Sequence, residues 1–180
     1  MNVLLGVTGS VAAKLTPGLI RELQCNLFAI KVIATESSLF FWHTSDVEVP
    51  VFRNKDEWPS RYIPKSPILH IELRNWADIL IIAPLSANTL AKIANGITDN
   101  LLTSVVRAWD RDKKIIIAPA MNTHMWEHPA TKEHLAVIRR WYPHLMIINP
   151  ISKALECGDV GIGAMAEIAQ IVEEVKKCVR

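Results

Sequence analysis

The sequence has little cysteine, and its cysteines are poorly placed for a structural role. Its 180 residues contain three, an odd number, and no two of them form a Cys-x-x-Cys pair. Disulfide-stapled folds and cysteine-based zinc sites need more cysteines at closer spacing. Neither is therefore expected, and a reduced, intracellular protein is the simpler interpretation.

The chain also has little net charge and no long apolar run. Lys and Arg number 20 against 18 Asp and Glu, a net charge of +2, with both signs mixed along the sequence. No basic stripe suggests nucleic acid, and no apolar run approaches the roughly 20 residues that span a bilayer. The opening MNVLLGVTGS has no basic segment before its short apolar run, so it predicts a first strand rather than a signal peptide. We expect a cytoplasmic protein that contacts neither nucleic acid nor membrane.

Apolar, β-branched runs alternate with segments of helical spacing, and half of the residues are hydrophobic. This alternation predicts a parallel sheet with helices on both faces. We therefore expect one doubly wound α/β domain over residues 1–180, a three-layer αβα fold of the Rossmann or flavodoxin-like type. Strands are predicted at residues 3–7, 29–35, 78–83, 115–118 and 145–148, and helices at 13–24, 87–97, 101–109, 131–141 and 166–179.

Two segments interrupt the alternation. Residues 53–67 are polar and contain three prolines, which predicts a long loop that serves as a lid or an interface segment. Residues 155–165 contain three glycines and are predicted to be irregular.

The predicted strand ends are rich in small and hydrogen-bonding residues. Ligands of doubly wound sheets bind beyond the carboxyl ends of the strands, where helix N-termini offer free N–H groups to anions. A phosphate-bearing cofactor suits these ends. The segments concerned are residues 8–12, 35–38, 84–89 and 119–122, and the turn around Cys157.

Single residues in these segments have ordinary structural explanations as well. Gly9-Ser10 lies between a strand and a helix but does not match G-x-G-x-x-G, and turn chemistry alone can require it. Ser86 and Thr89 could cap a helix. Asn88 beside them favours hydrogen bonds to the polar edge of a ligand.

His124-Met-Trp-Glu127-His128 matches the H-x-x-E-H spacing of some zinc peptidases. Such a site needs both histidines on one helix. Pro129 pushes His128 out of the helical region. No metal is therefore expected, and the stretch is better interpreted as core or pocket wall.

His70 and Cys157 are the side chains best suited to proton transfer. His70 precedes a buried strand run and could be structural, but an imidazole near a pocket can act as a base at neutral pH. Cys157 lies in a glycine-rich loop, where a mobile catalytic thiol could be placed, although an inert buried thiol is equally compatible.

Several motifs together give a more specific indication. They are HIELRNWAD (70–78), PLSANT (84–89), DNLLTSVVRAWD (99–110), PAMNTHMW (119–126) and ECGDVGIGAMAE (156–167). On these motifs the chain resembles the homo-oligomeric flavin-containing cysteine decarboxylases over nearly its whole length. The H-x-x-E-H match then overlaps that family's P-x-M-N-x-x-M-W motif by accident.

The resemblance implies FMN as cofactor and a homotrimer with active sites at the subunit interfaces. It implies that His70 is the catalytic base, that Cys157 is the proton donor, and that Asn122 is both a catalytic and a substrate-binding residue. Met121 and Arg74 are implied as further substrate contacts. The implied FMN contacts are Gly9, Ser10, Thr35, Ser37, Phe41, Ser86, Ala87, Asn88 and Thr89.

The implied reaction removes carbon dioxide from a terminal cysteine of a phosphorylated small molecule in coenzyme A biosynthesis. Oxidation of the thiol to a thioaldehyde creates an electron sink, loss of CO2 follows, and re-reduction restores the thiol. Two alternatives share the flavin site: a decarboxylase of peptide-antibiotic precursors that end in cysteine, and a non-catalytic flavoprotein regulatory subunit.

One position departs from the pattern of close relatives. Some of them carry two arginines in H-I-E-L-R-R-W, whereas this chain has Arg74 followed by Asn75. Recognition of the anionic end of the substrate therefore has to rest on Arg74 or on other residues.

Overall fold

The computed structural model describes residues 1–58, 64–154 and 160–178. Six parallel strands form its central sheet, in the order β3-β2-β1-β4-β5-β6. Two further strands, β7 and β8, pair with each other in an antiparallel hairpin. The strands are β1 (Asn2–Val7), β2 (Ala29–Ala34), β3 (Val51–Phe52), β4 (Ile79–Leu85), β5 (Lys114–Pro119), β6 (Leu145–Ile147), β7 (Ile151–Ala154) and β8 (Val160–Ala164).

Helices connect the strands and cover both faces of the sheet. They are α1 (Thr16–Cys25), α2 (Leu69–Trp76), α3 (Ala87–Ala94), α4 (Leu101–Arg107), α5 (Thr123–Glu127), α6 (Pro129–Trp141) and α7 (Ile168–Lys177). No helix among the described residues has the length and apolarity needed to cross a membrane.

Side-chain alternation along the strands divides the core into two layers. Val3 and Leu5 of β1 pack with α1 and α7 on one face, whereas Leu4 between them packs with α2, α3, α4 and α6 on the other. Burial on both faces explains why the strands are continuous apolar runs. The predicted three-layer αβα fold is confirmed.

The strand order explains why the sequence fits two related fold types. With the two-residue β3 at its edge, the order is that of a Rossmann sheet; without β3, it is that of a flavodoxin-like sheet. In both descriptions the chain changes direction across the sheet between β1 and β4. The carboxyl ends of these two strands are therefore where a ligand is expected.

Three parts of the predicted element pattern are wrong. Residues 155–165 are not irregular throughout, since β8 forms a hairpin with β7. No helix was predicted at residues 69–76, where the structure has α2, which carries His70 and directly precedes β4. The helix predicted at 87–97 ends at Ala94, because Gly96 adopts a positive φ of 69°.

The segment predicted as a long loop, residues 53–67, contains a short 3₁₀ helix at Asn54–Asp56. Residues 59–63 lie outside the described part of the chain. The lid or interface role of the segment stays a prediction.

Thr8 joins the ends of β1 and β4. Its hydroxyl donates to Pro84 O at 2.8 Å and accepts from the backbone N–H of Ser86 at 2.8 Å. The side chain is fully buried. One hydroxyl therefore satisfies a carbonyl and an N–H at the point where α3 begins.

Replacing Thr8 with valine should destabilise the protein. Valine keeps the shape but leaves the buried Ser86 N–H without its acceptor, at a cost of about 1–3 kcal/mol. Urea unfolding followed by circular dichroism measures the change.

Thr16→Val is the matched control, since Thr16 is equally buried and its Oγ1 has no hydrogen-bond partner among the described residues. This variant should unfold at or above the wild-type urea concentration. Equal losses in the two variants would contradict the bridging role of Thr8.

Candidate active site

An open cleft of about 250 Å³ lies at the carboxyl edge of the sheet, between the segment after β2 and the starts of α3 and α4. Four of the predicted cofactor residues line it: Thr35, Ser37, Asn88 and Thr89. Three hydroxyls and an amide from two separate segments thus meet around one space, as the strand-end argument predicts.

Gly9 brings the loop after β1 against the loop after β2. A Cβ built on Gly9 would lie 2.5 Å from Ser37 Oγ and 2.7 Å from Ser37 Cβ, so no side chain fits between the loops. Thr35 holds the second loop in place, because its N–H and its hydroxyl both donate to Val7 O, at 3.0 and 3.2 Å. Gly9 is therefore close to the cleft although it does not line it.

Ser10 caps the turn that follows Gly9. It has extended backbone angles, and its Oγ accepts from the N–H of Ala12 at 3.4 Å, at the start of the 3₁₀ helix Val11–Leu15. The contact is long, so the hydroxyl remains suited to bind a ligand at the same helix end.

Ser86 is the N-terminal cap of α3, which confirms the capping interpretation for this residue, whereas Thr89 provides the N–H that is capped. Ser86 Oγ accepts from the N–H of Thr89 at 3.2 Å, and the two hydroxyls are 3.3 Å apart. Ala87 and Asn88 lie between them, and Asn88 is exposed to the cleft. The amide of Asn88 is the group of this turn that faces solvent.

Phe41 lies after the 3₁₀ helix Glu36–Phe40, beyond the residues that line the cleft. Its ring packs edge-on against the ring of Phe40, with centroids 5.1 Å apart. The exposed fraction of Phe40 is 85%. Phe40 therefore offers an uncovered apolar surface beside the predicted phosphate loops, whereas Phe41 is partly buried against the core.

The sequence analysis missed several polar residues that line the cleft. Asn54, Lys92, Asp99 and Asn100 all contribute to its wall. Lys92 and Asp99 form an ion pair, and the hydrogen bond from the Lys92 ammonium lowers the pKa of the Asp99 carboxyl below its ordinary value. Asp99 and Asn100 begin the motif at residues 99–110, but the motif does not indicate which of its side chains face a ligand.

Met121 and Asn122 follow β5 and are held between β4 and the hairpin. Met121 N donates to Gly163 O at 3.0 Å, and Asn122 Oδ1 accepts from His124 N at 2.9 Å as the cap of α5. A Cβ on Gly163 would lie 2.2 Å from Met121 O, so the close approach requires glycine. The hairpin thus packs against the predicted substrate-binding segment.

His70 pairs with a glutamate that the sequence analysis did not identify. Its Nδ1 is 2.6 Å from Glu57 Oε1. The Glu57 side chain is 2% exposed and that of His70 is 22% exposed. Glu57 lies in the segment predicted as a loop, 13 residues before His70. An imidazole fixed by a buried carboxylate is suited to general base chemistry.

Arg74 lies one turn after His70 on α2, but its guanidinium contacts the protein. It donates to Ala108 O at 3.1 Å and to Asn75 Oδ1 at 2.9 and 3.1 Å. Asn75, the residue that follows Arg74, therefore orients its guanidinium. Substrate binding by Arg74 stays a prediction.

Cys157 lies outside the described residues. The H-x-x-E-H stretch is split between two helices, because His128 ends α5 and caps α6 with ψ of 135°. Within residues 1–58, 64–154 and 160–178, no group of three or more His, Cys, Asp or Glu could hold a metal ion.

Comparisons with known proteins agree with this geometry. A phosphopantothenoylcysteine decarboxylase from Mus musculus is 47% identical over 176 residues, which cover 97% of this chain and 85% of the mouse protein. A solved cysteine-to-serine variant of PPC decarboxylase, complexed with pantothenoylaminoethenethiol, superposes with a TM-score of 0.94 at 45% identity, covering 98% and 97% of the two chains. The FMN binding protein AtHal3 superposes with a TM-score of 0.89 at 46% identity, covering 98% and 95%.

A family model agrees with these relatives over the whole sequence. The model described as Flavoprotein matches residues 1–180. The match includes the loops that line the cleft as well as the helix that carries His70. The chain belongs to the Flavoprotein family.

Proposed function

We propose that this protein is an FMN-dependent carboxy-lyase that converts 4'-phosphopantothenoylcysteine to 4'-phosphopantetheine in coenzyme A biosynthesis. The observation that carries the proposal is near-full-length similarity to phosphopantothenoylcysteine decarboxylases at almost half identity. The same chain holds hydroxyl-rich loops at one sheet edge and a carboxylate-bound imidazole.

The residues at the sheet edge fit FMN. Gly9 and Ser37 touch with no room for a side chain, so backbone and hydroxyl groups of two loops form one small polar surface. Ser10, Thr35 and Ser37 provide the hydroxyl donors that a phosphate needs. The exposed amide of Asn88 can hydrogen-bond the polar edge of the ring system, beside Ser86, Ala87 and Thr89.

Bound FMN would supply the reversible transfer of a hydride, which converts the substrate thiol to a thioaldehyde and back. The protein then has to move protons and to align the bond that breaks. His70 would accept the proton that leaves the thiol, through Nε2, because Nδ1 is paired with Glu57. A base held at one nitrogen presents the other in a fixed direction.

Asn122 would orient the substrate carboxylate. An amide donates only through its nitrogen, so Nδ2 would contact the carboxylate, while Oδ1 caps α5. Met121 would line the same part of the site. A carboxylate held so that its C–C bond lies parallel to the C=S π orbitals loses CO2 more readily.

Cys157 would complete the reaction as proton donor. Loss of CO2 leaves an enethiol, and a proton has to reach carbon to give the saturated product. The relative that contains a cysteine-to-serine change was solved with an ethenethiol compound, which supports a cysteine at this step.

We also propose a cytoplasmic homotrimer with active sites between subunits. The exposed fractions of Phe40 and Trp58 are 85% and 68%, and both residues are close in sequence to site residues. Large apolar side chains exposed beside a site support burial by a second subunit.

The substrate assignment is tested by following CO2 release from 4'-phosphopantothenoylcysteine and from a peptide that ends in cysteine. The small molecule should be the better substrate. His70→Asn should keep its visible flavin absorption but lose roughly 10²- to 10⁴-fold in kcat, the usual contribution of a general base. Wild-type turnover in this variant, or a preference for the peptide, would contradict the proposal.

Gly9→Ala should weaken FMN binding. The added methyl group overlaps Ser37 and separates the two loops, and restoring the binding geometry costs about 1–3 kcal/mol, or roughly 5- to 150-fold in affinity. Fluorescence titration of the apoprotein with FMN measures it. Gly18→Ala is the control, because its Cβ meets only the tip of Ile168, at 3.3 Å. Equal affinities in the two variants would contradict the assignment.

Cys157→Ser should still release CO2 but should accumulate the enethiol, since a serine hydroxyl is a weaker acid than a thiol. Mass spectrometry distinguishes this product from 4'-phosphopantetheine by two hydrogens. Cys178→Ser is the matched control and should form normal product, because the Cys178 thiol contacts Glu174 O within α7. Normal product from Cys157→Ser at the normal rate would show that another group is the donor.

A further inference from the structure

Glu57 is a buried carboxylate whose partner, His70, is the proposed catalytic base. Its side chain is 2% exposed, whereas that of His70 is 22% exposed. Burying an ionised carboxylate is costly unless it is hydrogen-bonded. Nδ1 of His70 meets this need at 2.6 Å.

We propose that Glu57 is the positioning residue for His70: it fixes the imidazole with hydrogen on Nδ1 and directs Nε2 to the substrate. The inference rests on the proposed role of His70 as base and adds the group that sets its tautomer. A carboxylate can only accept, so the hydrogen between the two residues belongs to Nδ1. Nε2 is then the basic nitrogen.

Helix α4 anchors both members of the pair. Asn54, three residues before Glu57, accepts from Leu101 N at 3.1 Å at the start of α4. Arg74, one turn after His70, donates to Ala108 O at 3.1 Å at the end of α4. The distance between Glu57 and His70 is therefore maintained by one rigid element.

Two further contacts restrain the segment that carries Glu57. The N–H of Glu57 donates to Asn54 O at 3.2 Å, and Arg53 forms an ion pair with Glu36, after β2. Glu36 also lines the cleft. The carboxylate is thus connected to the sheet edge that holds the predicted phosphate loops.

Without a carboxylate partner, a neutral imidazole has no strong preference for hydrogen on Nδ1. In Glu57→Gln the charge is lost while size and shape are kept, so the preference for hydrogen on Nδ1 weakens and the ring can rotate. Glu57 is not among the residues proposed to contact FMN or the substrate. The expected defect is therefore in kcat rather than in KM or in FMN affinity.

The test combines kinetics with long-range ¹H–¹⁵N NMR of the His70 ring. Glu57→Gln should lower kcat by about tenfold or more, but by less than the ~10²- to 10⁴-fold loss of a missing base. Wild-type His70 should show hydrogen on Nδ1, and the variant should lose that preference. In a His70→Asn background, Glu57→Gln should cause no further loss.

Asp56→Asn is the matched control. Asp56 accepts from Arg53 N at 2.7 Å and caps the same short helix, but it does not contact His70. This variant should keep the wild-type ring spectrum and kcat, so a general disturbance of the segment is distinguished from loss of the Glu57 carboxylate.

The outcomes separate this inference from the proposed function. If His70→Asn turns over normally, the proposed base is wrong. If His70→Asn is inactive but Glu57→Gln keeps wild-type kcat, only the positioning role fails. If Glu57→Gln does not fold, the wild-type NMR spectrum still tests the inference. A neutral His70 ring with hydrogen on Nε2 would overturn it.

Discussion

The Thr8 hydroxyl links the carboxyl ends of β1 and β4, and the position of the site depends on that link. By donating to Pro84 O and accepting from Ser86 N, it fixes the point at which one half of the sheet passes into the other. The loops after β1 and β2 and the start of α3 all leave the sheet from this point. Their polar side chains converge because the strands that carry them are parallel and paired in register.

The site combines two structural arrangements, the loops at the sheet edge and the His70–Glu57 pair. The sheet edge supplies loops whose positions follow from strand pairing, and the His70–Glu57 pair is held from outside the sheet by α4. The first arrangement suits an anionic, planar cofactor, and the second suits a proton transfer that needs one defined nitrogen. Decarboxylation through a transient thioaldehyde requires both, since the hydride and the proton leave different atoms of the substrate.

The fold and four of the residues that line the cleft could be predicted from the sequence, for identifiable physical reasons. Strands buried on both faces are continuous apolar runs, so five of the six strands of the central sheet were visible in order, and their polar ends marked the loops. The two-residue β3 is too short to give such a run. Glu57 was not visible, because its contact with His70 spans a proline-containing stretch without periodicity. The hairpin was also missed, since Gly161 and Gly163 suggest an irregular loop until Thr123 and the Met121 backbone are seen against them.

The central claim, that FMN binds at the β1/β4 junction, is tested most directly by amide hydrogen exchange of the apoprotein with and without FMN. The account predicts slower exchange in residues 8–10, 35–38 and 86–89, and no change at residues 139–147, which lie toward the opposite, amino-terminal edge of the sheet. Protection confined to other segments, or no protection at saturating FMN, would contradict it.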